Sequence, residues 1–418
     1  MSVAIQFDPI RLPPEAETLR EEVREFLKEE LAAGTFDGTP DRRPNSEFSR
    51  KVGERGWIGI TWPKQYGGQE RSFLERYVIN EEFLIARAPT RKHFTADRQS
   101  GPVLLKYASE AIKQDILPRI TRGEVSFCIG MSEPDSGSDL FAAKTRAERT
   151  DDGWLINGRK LWTSLAHESD YMIGLFRTSA PTQENRRHGL SQFLVDMSLP
   201  GISTQPVLHP NGNHEFNEVT FDNLLLPHDY LMGEADMAWK QATSELAYER
   251  SGSERFLETG QVLFELVDFI GQNPDTREAE GLGRLVAQVH TLRRMSISVA
   301  GMLHAGKEPV LEASVVKDLG TVWEQALPSI ARDLAAFVDK DQGNRMHFEE
   351  ILAHNITIAP KLTIQGGTTE VLRGIVARGL GFHVVLIWAL RFSLLVPNPK
   401  AVTLSVRKEA KNTTTNPI

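Results

Sequence analysis

The sequence predicts an α+β fold in which two helical regions flank an all-β region. Over residues 15–31, apolar side chains recur at three- and four-residue steps, which is the period of an amphipathic helix. From about residue 123 the period changes to two, and turn sequences such as Asp152-Gly153 separate short apolar runs. Long helical patterns return after Pro227. Because helices and strands occupy separate blocks, a doubly wound parallel sheet is excluded.

Three domains and a tail are expected along the chain. We predict an N-terminal helical domain over residues 1–122, a middle β-barrel or sandwich domain over 123–233, and a C-terminal helical bundle over 234–381. The atypical tail, 382–418, is expected to be poorly ordered. The predicted helices cover residues 15–31, 73–86, 103–120 (ending at Pro118), 239–256, 260–269, 277–303, 313–334 and 369–378. The predicted strands cover residues 145–162, folded at Asp152-Gly153 and again at Asn157-Gly158, then 171–176, 192–196 and 218–221.

Composition narrows the class of protein. The chain has 418 residues, of which 40% are hydrophobic and 25% charged, as in a soluble globular protein. Its net charge of -8 provides no basic excess for phosphates, so nucleic acid is not expected as a partner. The single cysteine, Cys128, lies in an apolar run, which favours a buried thiol and a reducing compartment. No signal sequence and no apolar run of about 18 residues is visible, which predicts a cytoplasmic protein without a membrane span.

The loop from Met131 to Asp139 is the first candidate binding site. It offers the hydroxyls of Ser132 and Ser138 and includes a glycine, Gly137, between an apolar run and an alternating one. Hydroxyls, and backbone N–H groups freed around a glycine, can bind an electron-rich, planar or anionic group. An ordinary polar turn accounts for this loop equally well, so the loop by itself does not establish a binding site.

A second segment, Ile156 to Ser164, decides between these alternatives. It reads Ile-Asn-Gly-Arg-Lys-Leu-Trp-Thr-Ser, and with the loop Ser132-Glu-Pro-Asp-Ser-Gly-Ser-Asp139 it resembles the paired flavin-binding signatures of the acyl-CoA dehydrogenase family. The resemblance extends from about Pro14 to Gly381, with the same order of helical, β and helical blocks. One motif alone is a weak signal, whereas both at this separation are a specific one.

The resemblance implies an FAD cofactor held by both segments. Met131 and Ser132 would meet the N1–C2=O edge of the flavin ring, where negative charge collects on reduction. Trp162 would offer its aromatic face to the ring, and Thr163 or Ser164 would donate a hydrogen bond to N5, the atom that accepts hydride. A core tryptophan on a strand is the competing interpretation of Trp162.

The resemblance also implies a carboxylate base. Family members desaturate the Cα–Cβ bond of an acyl-CoA thioester: the base removes the α-proton while the β-hydrogen leaves as hydride to flavin N5. Many members carry the base in an Ile-Tyr-Glu-Gly-Thr segment, but the matching position here is Gly366. A minority, similar to isovaleryl-CoA and long-chain dehydrogenases, carries it on a helix of the bundle just before an arginine. Glu249, followed by Arg250, matches that arrangement and is the predicted base.

The acidic residues near these motifs can also be interpreted without any chemistry. A solvated Glu-Arg pair on a helix surface accounts for Glu249 and Arg250. Glu370 is the competing carboxylate, but it falls in the first turn of a helix, where the helix dipole favours a negative charge. By resemblance, Ser138 and Arg250 would contact the substrate, and Ser138 would also lie near the cofactor.

A third group of residues would hold the adenosine side of FAD. The residues concerned are Gly366, Gly367, Thr368 and Glu370, which open a predicted helix and allow close backbone approach. Two family segments that usually reach a neighbouring subunit, Arg-x-x-Phe-Gly and Gln-x-x-Gly-Gly-x-Gly, are not evident. Residues 277–288 and 341–347 are only loose equivalents.

These features predict an FAD-dependent acyl-CoA dehydrogenase that passes electrons to an electron-transfer flavoprotein and forms a homo- or hetero-oligomer, a dimer or tetramer. A flavin-dependent monooxygenase or oxidase of the same fold is an alternative, because such members often lack the base at the position of Gly366. A non-catalytic partner subunit of a heteromeric dehydrogenase is another. The histidines are dispersed and the paired cysteines of metal sites are missing, so no metal is expected.

Overall fold

The structure is a computed structural model that describes residues 5–39, 42–182, 185–238, 241, 250–338 and 342–382. Its first part is helical. The helices are α1 (Pro14–Ala32), α2 (Ser46–Glu54), α3 (Phe73–Ile85), α4 (Arg91–Thr95), α5 (Gly101–Tyr107) and α6 (Glu110–Thr121). Helix α1 buries Leu19, Val23 and Phe26 on one side, which confirms the predicted stripe. Helix α3 begins with a capping box between Ser72 and Glu75.

The single helix predicted over residues 103–120 is wrong. Two helices cover this range, because Ser109 caps a new one by accepting a hydrogen bond from the Ile112 N–H (3.3 Å). Pro118 lies inside α6 and does not end it. The proline carbonyl still accepts the Arg122 N–H (3.2 Å), so the last turn is kept although the proline donates no hydrogen bond of its own.

The middle part is one seven-stranded sheet. Its strands are β1 (Phe127–Gly130), β2 (Arg146–Arg149), β3 (Trp154–Ser164), β4 (Tyr171–Arg177), β5 (Leu190–Asp196), β6 (Ile202–Leu208) and β7 (His214–Leu226). The order across the sheet is β1-β4-β2-β3-β7-β6, and β5 pairs with β4. Most neighbours are antiparallel, whereas β4 pairs in parallel with both β1 and β2. The buried thiol predicted for Cys128 is confirmed, and burial raises its pKa to about 12.

The turn predicted at Asn157-Gly158 is wrong, because this pair lies inside β3. The register against β7 shifts between Ile156 and Gly158, where β7 holds one extra residue. Gly158 has φ +141° and lies so close to the backbone just before β2 that an added Cβ would be 2.7 Å from the Thr145 Cα. The glycine therefore serves close packing between strands and does not form a second hairpin.

The last part is a helical bundle. Its helices are α7 (Gln261–Ile270), α8 (Thr276–His304), α9 (Val310–Ala335), α10 (Gln342–Leu362) and α11 (Thr369–Gly379). Helix α10 was not predicted: Gly343 and Pro360 are typical helix breakers, but packing of Phe348, Ile351 and Leu352 in the bundle core outweighs them.

Two predicted segments fall partly outside the described residues. Of the helix predicted over residues 239–256, positions 239, 240 and 242–249 lie outside them. The predicted end of this helix is wrong, because Ser253–Arg255 form a short 3-10 turn. The predicted tail lies outside them from residue 383 onward.

Within the described residues, none of the helices has the length and apolar character needed to cross a membrane.

Candidate active site

The two signature segments lie side by side and are joined by a buried ion pair. Lys160 of β3 is completely buried, and its Nζ lies 2.7 Å from Oε1 of Glu133 in the loop. The same ammonium donates to the Met131 carbonyl (3.2 Å), and the Leu161 N–H donates to the Ser132 carbonyl (2.9 Å). The loop is therefore held against the strand by two hydrogen bonds from the Lys160 ammonium and by one backbone hydrogen bond.

Glu133 also organises the chain that leaves the loop. Its two carboxylate oxygens accept the backbone N–H groups of Lys144 (2.6 Å) and Thr145 (3.0 Å). Burial works to raise the pKa of Glu133, but the charge of Lys160 and these hydrogen bonds outweigh it and lower the pKa. Burial lowers the pKa of Lys160 to about 8 against the opposing charge of Glu133, so the pair is charged at neutral pH. From the sequence, neither Glu133 nor Lys160 was assigned a role. The available signal was a charged residue inside each motif, in a turn-forming loop for Glu133 and in a strand for Lys160.

The loop itself is closed by backbone hydrogen bonds between Glu133 and Ser136. The Glu133 N–H donates to the Ser136 carbonyl (2.7 Å), and the Ser136 N–H donates back (3.0 Å). The Ser136 hydroxyl donates to the Asp139 carbonyl (2.8 Å), whereas the Ser132 and Ser138 hydroxyls have no hydrogen-bond partner among the described residues, and Ser138 is exposed. Gly137 has no atom within 4 Å of an added Cβ and no positive φ, so neither crowding nor backbone strain requires a glycine there.

Trp162 is turned outward by a β-bulge. The register against β7 shifts between Lys160 and Thr163, so β3 holds one extra residue there. Trp162 has φ +63°, a left-handed conformation that is unfavourable for a bulky side chain, and it is 55% exposed. Strained residues of this kind concentrate at functional sites. The alternative of a core tryptophan is wrong for this residue, because most of its ring faces solvent.

Thr163 and Ser164 point to opposite faces of β3. Thr163 is 1% exposed and its hydroxyl has no hydrogen-bond partner among the described residues. Ser164 is exposed like Trp162, whereas Thr163 between them is buried, so the indole and the Ser164 hydroxyl lie on the same side of β3. Of the two hydroxyls considered for flavin N5, only that of Ser164 lies on the side of the indole.

Gly366, Gly367 and Thr368 form a tight turn before α11. The two glycines have φ +67° and +101°, which are backbone angles that residues other than glycine rarely adopt. The Thr368 hydroxyl caps α11 by accepting the Val371 N–H (3.3 Å), which leaves Glu370 in the first turn. The Gly367 carbonyl accepts a hydrogen bond from Nζ of the buried Lys317 (2.8 Å).

Arg250 lies against the same turn. It is 4% exposed, and its Nη2 lies 3.2 Å from the position that a Cβ on Gly367 would occupy. Its Nη1 donates to the Ser314 hydroxyl (3.5 Å). Glu249, the predicted base, lies outside the described residues, but it directly precedes Arg250 in the chain.

Arg277, a loose equivalent of the family's cross-subunit arginine, is engaged within its own bundle. Its guanidinium donates to the Leu334 carbonyl (3.0 Å) at the end of α9 and lies 5.0 Å from the centre of the Phe337 ring. An arginine that satisfies the last carbonyls of a helix acts as a C-terminal cap.

The sheet between the two helical parts thus presents an exposed indole, Trp162, beside the Ser164 hydroxyl. Comparison with known proteins identifies the class. Residues 13–124 match the acyl-CoA dehydrogenase N-terminal domain and residues 128–224 match the middle domain of the same family. The chain is 31% identical to the acyl-CoA dehydrogenase IpdE1 of Mycobacterium tuberculosis over 376 residues, which cover 87% of this chain and 96% of that protein.

A second relative is longer than this chain. The acyl-CoA dehydrogenase FadE34 of Mycobacterium tuberculosis is 29% identical over 85% of this chain, which spans only 48% of that protein. Among solved structures, the ChsE4-ChsE5 complex from Mycobacterium tuberculosis has a chain that is 27% identical with a TM-score of 0.76, over 90% of this chain and 99% of that one. The Tcur3481-Tcur3483 steroid ACAD is 26% identical with a TM-score of 0.76, over 89% and 99%.

The chain therefore belongs to the acyl-CoA dehydrogenase family, whose members are flavin-containing oxidoreductases. The predicted family and the predicted order of helical, β and helical parts are both confirmed.

Proposed function

We propose that the protein is an FAD-dependent acyl-CoA dehydrogenase that desaturates the Cα–Cβ bond of an acyl-CoA thioester. When bound, FAD would supply the acceptor for the β-hydrogen as hydride. Glu249 would remove the α-proton, and Arg250 would lie beside it toward the substrate. Electrons would then pass to an electron-transfer flavoprotein, and the enzyme would act as an oligomer.

The residues of the site fit a flavin. Trp162 presents an exposed indole, and Ser164 on the same face of β3 has a hydroxyl that no described residue uses. The hydroxyl of Ser132 is equally available in the adjoining loop, which the Glu133–Lys160 pair holds in place. Ser132 and Met131 would meet the ring edge, Ser164 would donate to N5, and Ser138 would lie toward the phosphates. Gly366, Gly367, Thr368 and Glu370 would receive the adenosine side at the start of α11.

The observation that carries the base assignment is the contact between Arg250 and Gly367. In many relatives the base occupies the position of Gly366, and here that position has φ +67° and no side chain. The guanidinium of Arg250 reaches the same turn from a distant part of the chain. Because Glu249 directly precedes Arg250 in the chain, this contact supports Glu249 as the residue that replaces the missing carboxylate.

Anaerobic bleaching of the bound flavin tests this proposal. The purified protein, loaded with FAD, would be mixed with a panel of short straight-chain, long straight-chain and steroid-derived acyl-CoA thioesters. The steroid thioester is included because one similar structure is described as a steroid ACAD. We expect at least one thioester to bleach the visible absorption of the flavin at once, and absence of bleaching across the panel would contradict the proposal.

The variant Glu249→Gln tests the assignment of the base. It keeps the size of the side chain but cannot accept the α-proton. We therefore expect the variant to bind FAD and the rate of bleaching to fall by about 100-fold or more. Glu370→Gln is the matched comparison, because it removes the competing carboxylate near the same turn. We expect this variant to change FAD affinity but to bleach in its FAD-bound fraction. Bleaching of Glu249→Gln at the wild-type rate would contradict the assignment.

A partner subunit of a heteromeric dehydrogenase is the second candidate function. It is favoured by the engagement of Arg277 within its own bundle, since this residue is then not directed at a neighbouring cofactor. The similar ChsE4-ChsE5 structure is itself a complex of two different chains. Purification of the protein alone without FAD, and with FAD after co-expression of a second chain, would support this candidate over a homo-oligomer.

A further inference from the structure

Glu215, the second residue of β7, is a junction of ionic contacts outside both signature segments. Its side chain is 15% exposed, and Nζ of Lys361 lies 2.9 Å from Oε1 and 2.7 Å from Oε2. Nε2 of His209 lies 3.0 Å from Oε2, and Nη1 of Arg91 lies 3.7 Å from Oε1. Burial works to raise the pKa of Glu215, but Arg91, His209 and Lys361 hold it well below its usual range. The carboxylate is therefore charged throughout the working pH range.

The partners of Glu215 come from all three parts of the chain. Arg91 begins α4 of the N-terminal helices, His209 follows β6 in the sheet, and Lys361 lies in the last turn of α10 in the bundle. Lys361 is also close in sequence to the Gly366-Gly367 turn, which is linked back to it by the Ile364 and Gln365 N–H groups donating to the Lys361 carbonyl (3.0 Å each). A single carboxylate thus ties the sheet to both helical parts.

Residues Glu215 and Phe216 of β7 pack against the end of β3 that carries Trp162. The Glu215 carbonyl accepts the Leu165 N–H (2.8 Å) just past the end of β3, and Phe216 pairs with Ser164. The Phe216 ring meets the Trp162 indole edge to face, with centroids 5.8 Å apart and planes at 87°. His209 stacks on Phe216 at 5.1 Å, and Nζ of Lys361 lies 5.8 Å from the same ring. Two of the partners of Glu215, His209 and Lys361, therefore also contact the ring that packs against the indole.

We infer that Glu215 is a positioning residue that sets the orientation of Trp162 and Ser164 relative to α4 and to the Gly366-Gly367 turn. This inference rests on the proposed function, because it assigns the flavin to Trp162 and Ser164. Glu215 acts through its neighbours and does not touch the reacting atoms. Removing its charge leaves Lys361 and Arg91 without their shared carboxylate, which loosens the contact between the sheet and the helical parts.

The first test measures FAD binding, which does not depend on turnover. In Glu215→Gln the amide keeps the shape and one acceptor but loses the charge that Lys361, Arg91 and His209 share. We expect the dissociation constant for FAD to rise about ten-fold and the visible absorption bands of bound FAD to shift, because small displacements around a site have large effects. Lys361→Met removes the same contact from the bundle side and should act in the same direction.

Glu30→Gln is the matched control. Glu30 is 13% exposed and also holds a lysine, Lys51, at 2.6 Å and a threonine hydroxyl, Thr35, at 2.5 Å. Both of these partners belong to the N-terminal helical part, so the loss of Glu30 should lower stability without changing FAD binding or the absorption bands. Circular dichroism and thermal unfolding of each variant separate a loss of fold from a loss of positioning.

The second test measures bleaching by an acyl-CoA that bleaches the wild type. At saturating thioester we expect the flavin of Glu215→Gln to be bleached about ten-fold more slowly. The thioester concentration that gives half the maximal bleaching rate should change little. If Glu215→Gln and Glu30→Gln bind FAD alike and bleach alike, Glu215 has no positioning role. If no thioester bleaches the wild type, the proposed reaction fails, whereas the FAD measurements still decide the role of Glu215.

Discussion

Two neighbouring glutamates, Glu258 and Glu324, have very different carboxyl pKa values because their surroundings differ. Glu324 is fully buried, Glu258 is largely buried, and the two carboxyl groups lie close enough to interact. Arg42, at 2.6 Å, outweighs the effect of burial on Glu258 and lowers its pKa to about 2. Glu324 accepts the Thr259 N–H (3.1 Å) at Oε1, and Oε2 has no partner among the described residues. Burial and the charge of Glu258 therefore raise the pKa of Glu324 to about 8.

We predict that Glu324 makes the fold less stable as the pH rises from about 5 to 8. The native carboxyl keeps its proton up to about pH 8, whereas in the unfolded chain it loses the proton near 4.5. Between these values the free energy of unfolding falls by up to about 1.4 kcal/mol per pH unit. Glu324→Gln is neutral at every pH and should lack this loss.

Urea unfolding in mildly acidic, near-neutral and slightly alkaline buffers checks this prediction. The wild type and Glu324→Gln should be similar in stability in the acidic buffer, and the variant should be the more stable in the alkaline one. The same pH dependence in both proteins would show that Glu324 is ionised in the native state.

At the scale of secondary-structure elements, β3 combines a buried structural residue with exposed residues of the proposed flavin site. Lys160 faces inward and holds the loop, whereas Trp162 and Ser164 face outward. The bulge between Lys160 and Thr163 changes the side to which the next residues point. The loop and the strand therefore form one unit. A substitution on the buried face of β3 should change the position of the side chains on its exposed face.

We predict that Lys160→Met releases the loop. The substitution leaves the Glu133 carboxylate buried with only backbone donors, which costs about 3–5 kcal/mol in the free energy of unfolding. FAD affinity should fall as well, because Met131 and Ser132 are no longer held against β3. Chemical unfolding and FAD titration measure the two effects.

The double variant Lys160→Met, Glu133→Gln is the internal control. It removes the buried negative charge as well, so part of the lost stability should return. If the double variant is destabilised by the sum of the two single changes, the residues do not act as a pair.

At the scale of the whole molecule, a second buried network joins the N-terminal helices to the bundle. Glu81 of α3 accepts hydrogen bonds from Arg293 of α8 at 2.7 and 2.8 Å and from Arg20 of α1 at 2.9 Å. The Tyr77 hydroxyl donates to the same carboxylate (3.1 Å). Burial works to raise the pKa of Glu81, but the two arginines outweigh it and lower the pKa.

We predict that Glu81→Ala destabilises the fold by about 2–3 kcal/mol, because Arg293 loses the carboxylate that holds it, whereas Arg20 keeps Glu17 and Glu82 as partners. The control is Glu21→Ala, which removes an exposed partner of Arg24 and should cost less than about 1 kcal/mol. Urea unfolding of both variants makes the comparison. Equal losses would mean that the network contributes no more than a surface pair.

The order of the three parts, the family and most helices of the described chain could be predicted from the sequence. Periodicity depends on neighbours three or four positions away, and the signature motifs are contiguous, so both are visible in one dimension. Helix α10 could not be predicted, because contacts with distant helices outweigh its glycine and proline. The domain limits at 122 and 233, and the base Glu249, remain predictions.

The sequence by itself determined which segments are candidates for a flavin site: the loop around Ser132, the strand around Trp162 and the turn at Gly366. Only the tertiary structure decided which of their side chains are exposed and which are buried. A bulge turns Trp162 and Ser164 outward and Thr163 inward, and a one-residue shift of register cannot be read from a strand alone. The charges that hold the site, Lys160 with Glu133 and Glu215 with Lys361, are far apart in sequence, and they become partners only when folding removes them from water.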